Sequence, residues 1–178
     1  MEHILIIDDD EGLVHFLSRF FQRKGHAVTA CLTGTEALKT LAENGFDLIL
    51  LDYKMPDING LDMLSEIRRV EVKTPVILMT AYGTTDLAIE TMKRGAYDYL
   101  TKPFDRKDLS RVVTEALAAN RQMKERVRIA PVPGAPGDPG DAGAIQMVGH
   151  GKKMQEIFKR IGQVAASDVP VLITGESG

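Results

Sequence analysis

The chain has 178 residues, of which 44% are hydrophobic and 26% charged, and its formal net charge is −3. That length suffices for one good domain and part of another. The slightly acidic balance argues against a nucleic-acid-binding domain, which is usually clearly basic. The single cysteine, Cys31, excludes an internal disulfide and reads as a small packed residue in a reducing compartment. No segment has the pattern of a signal peptide, and the apolar runs are far too short to span a bilayer, so the sequence predicts a cytoplasmic protein without a membrane partner.

Apolar runs and helical patterns then alternate five times. "HILII" is a short apolar run, followed by "EGLVHFLSRFFQRKG", where Leu13, Phe16, Leu17, Phe20 and Phe21 fall at helical spacing and Gly25 is a plausible stop. "HAVTAC" precedes a second helix, "TEALKTLAENG", again closed by a glycine. "FDLILLD" leads into "LDMLSEIRRV", and "TPVILMT" into "TTDLAIETMKRG". "AYDYLTKPF" is a fifth strand, and a long helical pattern runs from Asp105 to about Arg126. Continuous apolar strands alternating with helices predict an α/β fold with a parallel sheet covered on both faces.

Beyond Val127 the character changes. "APVPGAPGDPGDAG" holds four of the eight prolines and no periodicity, so 127–144 reads as a semi-extended linker. A further amphipathic helix follows, with Met154, Ile157, Phe158, Ile161 and Val164 on one stripe. The strand "VPVLIT" then runs into a glycine turn, "GESG".

In open parallel sheets, ligands sit outside the C-terminal strand ends, where strand order reverses. The first strand ends on Asp8-Asp9-Asp10, the third on Asp52, the fourth on Thr80 and the fifth on Lys102. For a five-stranded order 2-1-3-4-5 the crevice lies between strands one and three, the two carboxylate carriers. A run such as "DDDE" is by itself a solvated turn about as often as a site. Four such coincidences on the right strands are hard to obtain by chance. Clustered carboxylates are driven toward protonation unless a cation intervenes, and magnesium, a hard ion that keeps several waters, suits them. One carboxylate could then attack a phosphoryl group, with Lys102 as a point charge and Thr80 as a hydroxyl donor, giving an aspartyl phosphate.

Here the chain resembles a known family. Met1 to about Arg126 resembles the receiver domain of bacterial two-component response regulators, through "IIDDDE", "LILLDYKMPDINGLDML", "VILMTAYG" and "GAYDYLTKPF" in order and at family spacing. The resemblance implies a flavodoxin-like fold over 1–126 with Asp52 as phosphoacceptor. It implies Asp9 as a direct Mg2+ ligand, Asp8 as a ligand mainly through water, and the backbone carbonyl of Lys54 as a further ligand. Thr80 and Lys102 become the switch hydroxyl and the phosphate-pairing lysine, Tyr99 the aromatic switch, and Lys102-Pro103 a bond typically cis. None of the expected positions is substituted.

Residues 145–178, through "MVGHGKKMQEIFKRIGQVAASDVPVLITGESG", look like the opening of the AAA+ ATPase module of sigma-54-dependent transcription activators. In that family "GESG" begins the Walker A loop, so Gly175, Glu176, Ser177 and Gly178 would form an incomplete nucleotide-binding loop. The expectation is a fragment of a longer regulator that is not an enzyme and neither hydrolyses ATP nor binds DNA by itself. Its implied partners are a sensor histidine kinase and a second receiver, met through the fourth helix, fifth strand and fifth helix. The parent protein would meet sigma-54 RNA polymerase and DNA.

Other residues have plainer readings. His3, His15, His26 and His150 lack a metal spacing and read as surface or capping residues. Asp10 is a metal-site modulator or a solvated turn residue. Leu109, Val112, Ala116, Ala119 and Met123 form a short heptad-like seam or simply face the sheet. Two other functions compete with the switch. A haloacid-dehalogenase-type phosphohydrolase puts its nucleophile after the first strand as Asp-x-Asp-x-Thr/Val, where this chain has Gly12. A flavin carrier must cradle a phosphate in its first loop, which "DDDE" would repel.

Overall fold

The computed structural model describes residues 1–71, 73–81 and 83–127. The predicted linker beyond Val127 and the predicted second module at 145–178, with Gly175 to Gly178, lie outside the described residues. Val127 itself is the last residue of a helix rather than the first of a linker.

Five strands and five helices alternate: β1 His3–Ile7, α1 Glu11–Gln22, β2 Ala27–Cys31, α2 Gly34–Glu43, β3 Leu48–Asp52, α3 Gly60–Val70, β4 Val76–Thr80, α4 Thr85–Lys93, β5 Asp98–Thr101 and α5 Arg106–Val127. All strand pairs are parallel, in the order β2-β1-β3-β4-β5, as the sequence predicts. The helix starts are set by short polar side chains that accept amide hydrogen bonds of the first turn. Asp10 caps α1, Thr33 α2, Asn59 α3 and Thr84 α4. Gly25 and Gly95, which follow α1 and α4, take φ of 85° and 87°, where a side chain would be strained. Gly45 does not close α2 as expected. That helix stops at Glu43, and Asn44 leaves it in an extended conformation.

The middle strands are buried on both faces, so alternate residues feed two separate cores. Ile4, Ile6, Leu48, Leu50, Ile77 and Met79 pack against Val14, Leu17 and Phe21 of α1 and Leu109, Val112, Val113, Ala116 and Leu117 of α5. Leu5, Ile7, Ile49, Leu51, Val76 and Leu78 pack on the other face, against Ala37 of α2, Met63, Leu64 and Ile67 of α3 and Met92 of α4. Each fully buried Leu or Ile contributes about 1.5–3 kcal/mol, which is what holds the strand ends in register. The heptad-like reading of α5 does not stand for its first part, from Leu109 to Ala116. Leu109, Val112 and Ala116 belong to the sheet core, and of the five residues only Met123, 48% exposed, faces outward.

At the N-terminal edge of the sheet, α5 is tied down by polar contacts. The carboxylate of Asp47 accepts the His3 amide at 2.8 Å and the Lys124 ammonium at 2.6 Å. The buried Asn120 side chain donates to the Asp47 carbonyl at 2.9 Å.

Candidate functional site

The opposite edge carries the chemistry. Register pairs Ile7 with Leu51, Asp52 with Met79, and Thr80 with Thr101. Asp8, Asp52, Thr80 and Lys102 therefore emerge at one level, with Lys102 one residue beyond β5 rather than inside it. The Lys102 amide still joins the sheet, donating to the Thr80 carbonyl at 2.7 Å.

Asp8 is fully buried and Asp52 is 5% exposed, whereas Asp9 faces solvent. One carboxylate oxygen from each of Asp8, Asp9 and Asp52 falls within 4.8 Å of the others. The Lys102 ammonium bridges two of them, donating to Asp8 Oδ2 at 2.7 Å and to Asp52 Oδ1 at 2.6 Å. The remaining oxygens are held by backbone amides. The Lys54 N–H donates to Asp52 Oδ2 at 2.7 Å, and the Asp10 N–H donates to Asp8 Oδ1 at 3.0 Å.

Three carboxylates thus stand together against one lysine, which pairs with two of them, Asp8 and Asp52. Burial pushes the Asp8 carboxyl above its ordinary range, and although Lys102 and the Asp10 amide oppose this, the charge of Asp52 adds to it. For Lys102, burial favours the neutral amine, but the hydrogen bonds to Asp52 and Asp8 outweigh it and raise the pKa, so the lysine is charged at neutral pH. The pocket keeps an excess of negative charge behind hard oxygen donors. Such a donor set fits Mg2+, which takes one or two carboxylates and retains waters.

Thr80 is 2% exposed at the end of β4. Tyr99, on β5, is half-buried against the α3/α4 core, and burial, with Asp98 nearby, pushes its phenol up to about 12. The Lys102–Pro103 peptide is cis. Asp10 caps α1, its Oδ1 accepting the amides of Gly12 and Leu13, while its own amide serves Asp8. The fold also uses two residues that the sequence reading passed over. A Cβ on Gly60 would stand 2.6 Å from the Tyr53 Cα and 2.7 Å from the Asp52 carbonyl oxygen, so only glycine lets α3 start this close to the end of β3. The second is Asp57, which binds across to α2.

The description "Response regulator receiver domain" matches residues 4–114. The chain therefore belongs to the response regulator receiver domain family. Over 175 residues, 98% of this chain and 37% of the relative, it is 38% identical to the transcriptional regulatory protein ZraR of Klebsiella oxytoca. Over 178 residues, 100% of this chain and 38% of the relative, it is 36% identical to the regulatory protein AtoC of Escherichia coli. Both alignments run well past the receiver, yet the chain spans little more than a third of either relative. Among solved structures, a response regulator receiver domain from Clostridium thermocellum aligns with a TM-score of 0.65 at 33% identity, covering 69% of this chain and 99% of that one. The fold is thus the CheY-like, flavodoxin-type sheet. Among the described residues no helix is long and apolar enough to cross a membrane.

Proposed function

We propose that this receiver accepts a phosphoryl group on Asp52 from a sensor histidine kinase and so switches a sigma-54-dependent transcription activator. The observation that carries the reading is the grouping of Asp8, Asp9, Asp52 and Lys102 at the C-terminal strand ends. Asp52 is the fitting nucleophile because it ends β3, on one side of the crevice between β1 and β3, with its carboxylate oriented by Lys102 and the Lys54 amide. One of its oxygens attacks phosphorus as the bond from phosphorus to the donor's nitrogen or oxygen breaks, and no proton need leave Asp52 first. Mg2+ held by Asp8, Asp9, Asp52 and the Lys54 carbonyl would neutralise the phosphoryl oxygens. Lys102 then pairs with the transferred group, and the Thr80 hydroxyl donates to it.

On this reading, movement of Thr80 toward the phosphoryl group lets Tyr99 turn inward and reshapes the surface of α4, β5 and α5, where a second receiver would pair. The chain assists its own Mg2+-dependent phosphorylation and acts on no other substrate. On the same reading the receiver ends with α5, the stretch from there to 144 is a linker and 145–178 opens an AAA+ module, in keeping with alignments to ZraR and AtoC that run past the receiver. Substitution of the nucleophile tests the proposal. Asp52→Asn, nearly isosteric, should abolish labelling by acetyl phosphate in magnesium buffer while the unfolding transition stays cooperative. Labelling at the wild-type rate would overturn the assignment.

A further inference from the structure

The loop after Asp52 must hold Lys54 in place, since the Lys54 amide orients the Asp52 carboxylate. Its two ends are fastened to each other. Lys54 pairs with Asn59 as an isolated antiparallel bridge, and the Gly60 amide donates to the Tyr53 carbonyl at 2.7 Å. Its tip is fastened elsewhere, by the carboxylate of Asp57. Asp57 Oδ1 accepts the Gly34 amide at 3.2 Å, and Oδ2 accepts the Thr35 amide at 3.0 Å and the Thr35 hydroxyl at 3.2 Å.

Gly34 and Thr35 open α2, which already has its own cap, the Thr33 hydroxyl serving the Glu36 amide. Asp57 therefore takes the two amides that Thr33 leaves unserved, and does so from a loop 22 residues away in sequence. A carboxylate at a helix N-terminus is favoured by the helix dipole, and these bonds are charge-assisted. Its pKa agrees, since the Thr35 amide holds the Asp57 carboxyl below the usual range. The neighbouring Ile58 side chain lies where a Cβ on Gly34 would project, so the two loops meet without a gap.

We infer that Asp57 is a positioning residue of the acidic pocket, locking the loop that carries Lys54 onto the first turn of α2 and thereby presetting the backbone ligand for the cation. The inference rests on the proposed magnesium site. It makes α2, which contributes no side chain to the pocket, a structural support for it. Because Asp57 is exposed and outside both cores, its loss should be felt in metal binding more than in the fold.

Magnesium titration of the full chain by calorimetry, with wild type, Asp57→Ala and Asp57→Asn, tests this. Outer-shell groups that orient metal ligands typically govern affinity by 10- to 100-fold, and for a backbone ligand held at one remove we expect the low end, about tenfold weaker binding in Asp57→Ala. Asp57→Asn keeps one acceptor oxygen and should lose less than Asp57→Ala. At saturating magnesium, acetyl phosphate labelling of Asp57→Ala should return to the wild-type rate, because the bound cation then holds Lys54, and with it the Asp52 carboxylate, in place of Asp57. Wild-type magnesium affinity in Asp57→Ala, or a labelling defect that saturating magnesium does not repair, would overturn the inference. A wild-type chain that binds no magnesium would instead overturn the site itself.

Discussion

Two aspartates bracket β3, Asp47 just before its first residue and Asp52 as its last, and each meets a lysine at 2.6 Å. Their surroundings differ in charge balance. Asp47 has Lys124, the His3 amide and the Asn120 side chain about it, so its negative charge is fully matched. Asp52 shares its lysine with Asp8 and stands beside Asp9, leaving three carboxylates to one ammonium. The pKa directions follow. Burial would raise Asp47, but Lys124 and the His3 amide outweigh it and hold the carboxyl below its ordinary range, whereas Asp8 stays above its own. One edge of the sheet uses an aspartate to fasten α5. The other stores unmatched negative charge that suits a cation.

The comparison is broken most forcefully at Lys102. Lys102→Met leaves the buried carboxylates of Asp8 and Asp52 without their shared cation, and removing one partner of a buried pair costs about 3 kcal/mol or more. The loss should appear as a lowered unfolding midpoint in magnesium-free buffer and should shrink when magnesium is added. Equal loss with and without magnesium would mean that the lysine is structural, like Lys124.

At the other edge, Asp47→Ala strands the His3 amide and the Lys124 ammonium, at a cost of about 2 kcal/mol at pH 7. Because the folded pKa of Asp47 is lowered, its contribution is present above the unfolded carboxyl value, about 3.9, and is lost as pH falls through the folded value. The difference between wild type and Asp47→Ala, read from denaturant unfolding, should therefore narrow below about pH 4. Asp8 has the opposite sign, so Asp8→Asn should not destabilise the metal-free protein in the same pH-dependent way. Asp47→Ala should leave acetyl phosphate labelling unchanged.

The smallest effect belongs to Lys124→Ala. Its side chain is 59% exposed, and such ion pairs contribute below about 1 kcal/mol. A denaturation midpoint that moves as far as that of Lys102→Met would erase the distinction between the two edges.

Much of this was legible in the chain itself. The runs Ile4–Ile7, Leu48–Leu51 and Val76–Met79 are apolar without interruption, as strands buried on both faces are, and the topology follows from their alternation with helices. Asp8, Asp52, Thr80 and Lys102 are legible as a group because each sits where an apolar run ends. The "DDDE" run hid a division of labour, since its three aspartates differ in fate: Asp8 is buried, Asp9 exposed, and Asp10 spent on capping α1. Period alone could not tell a seam from a core face, so Leu109, Val112 and Ala116 carried two readings until the sheet resolved them. Asp57 left no local signal, because the helix it serves, α2, precedes it in the chain and has a good cap of its own.

On the proposed function, Asp52 receives a phosphoryl group in the presence of magnesium. Trapping the product with borohydride after acetyl phosphate treatment tests it most directly, since reduction of an acyl phosphate converts the aspartate to homoserine at the modified position. Homoserine is expected at Asp52, dependent on magnesium, and none at Asp8, Asp9 or Asp47. Homoserine at another aspartate, or an unmodified Asp52 under those conditions, would contradict it.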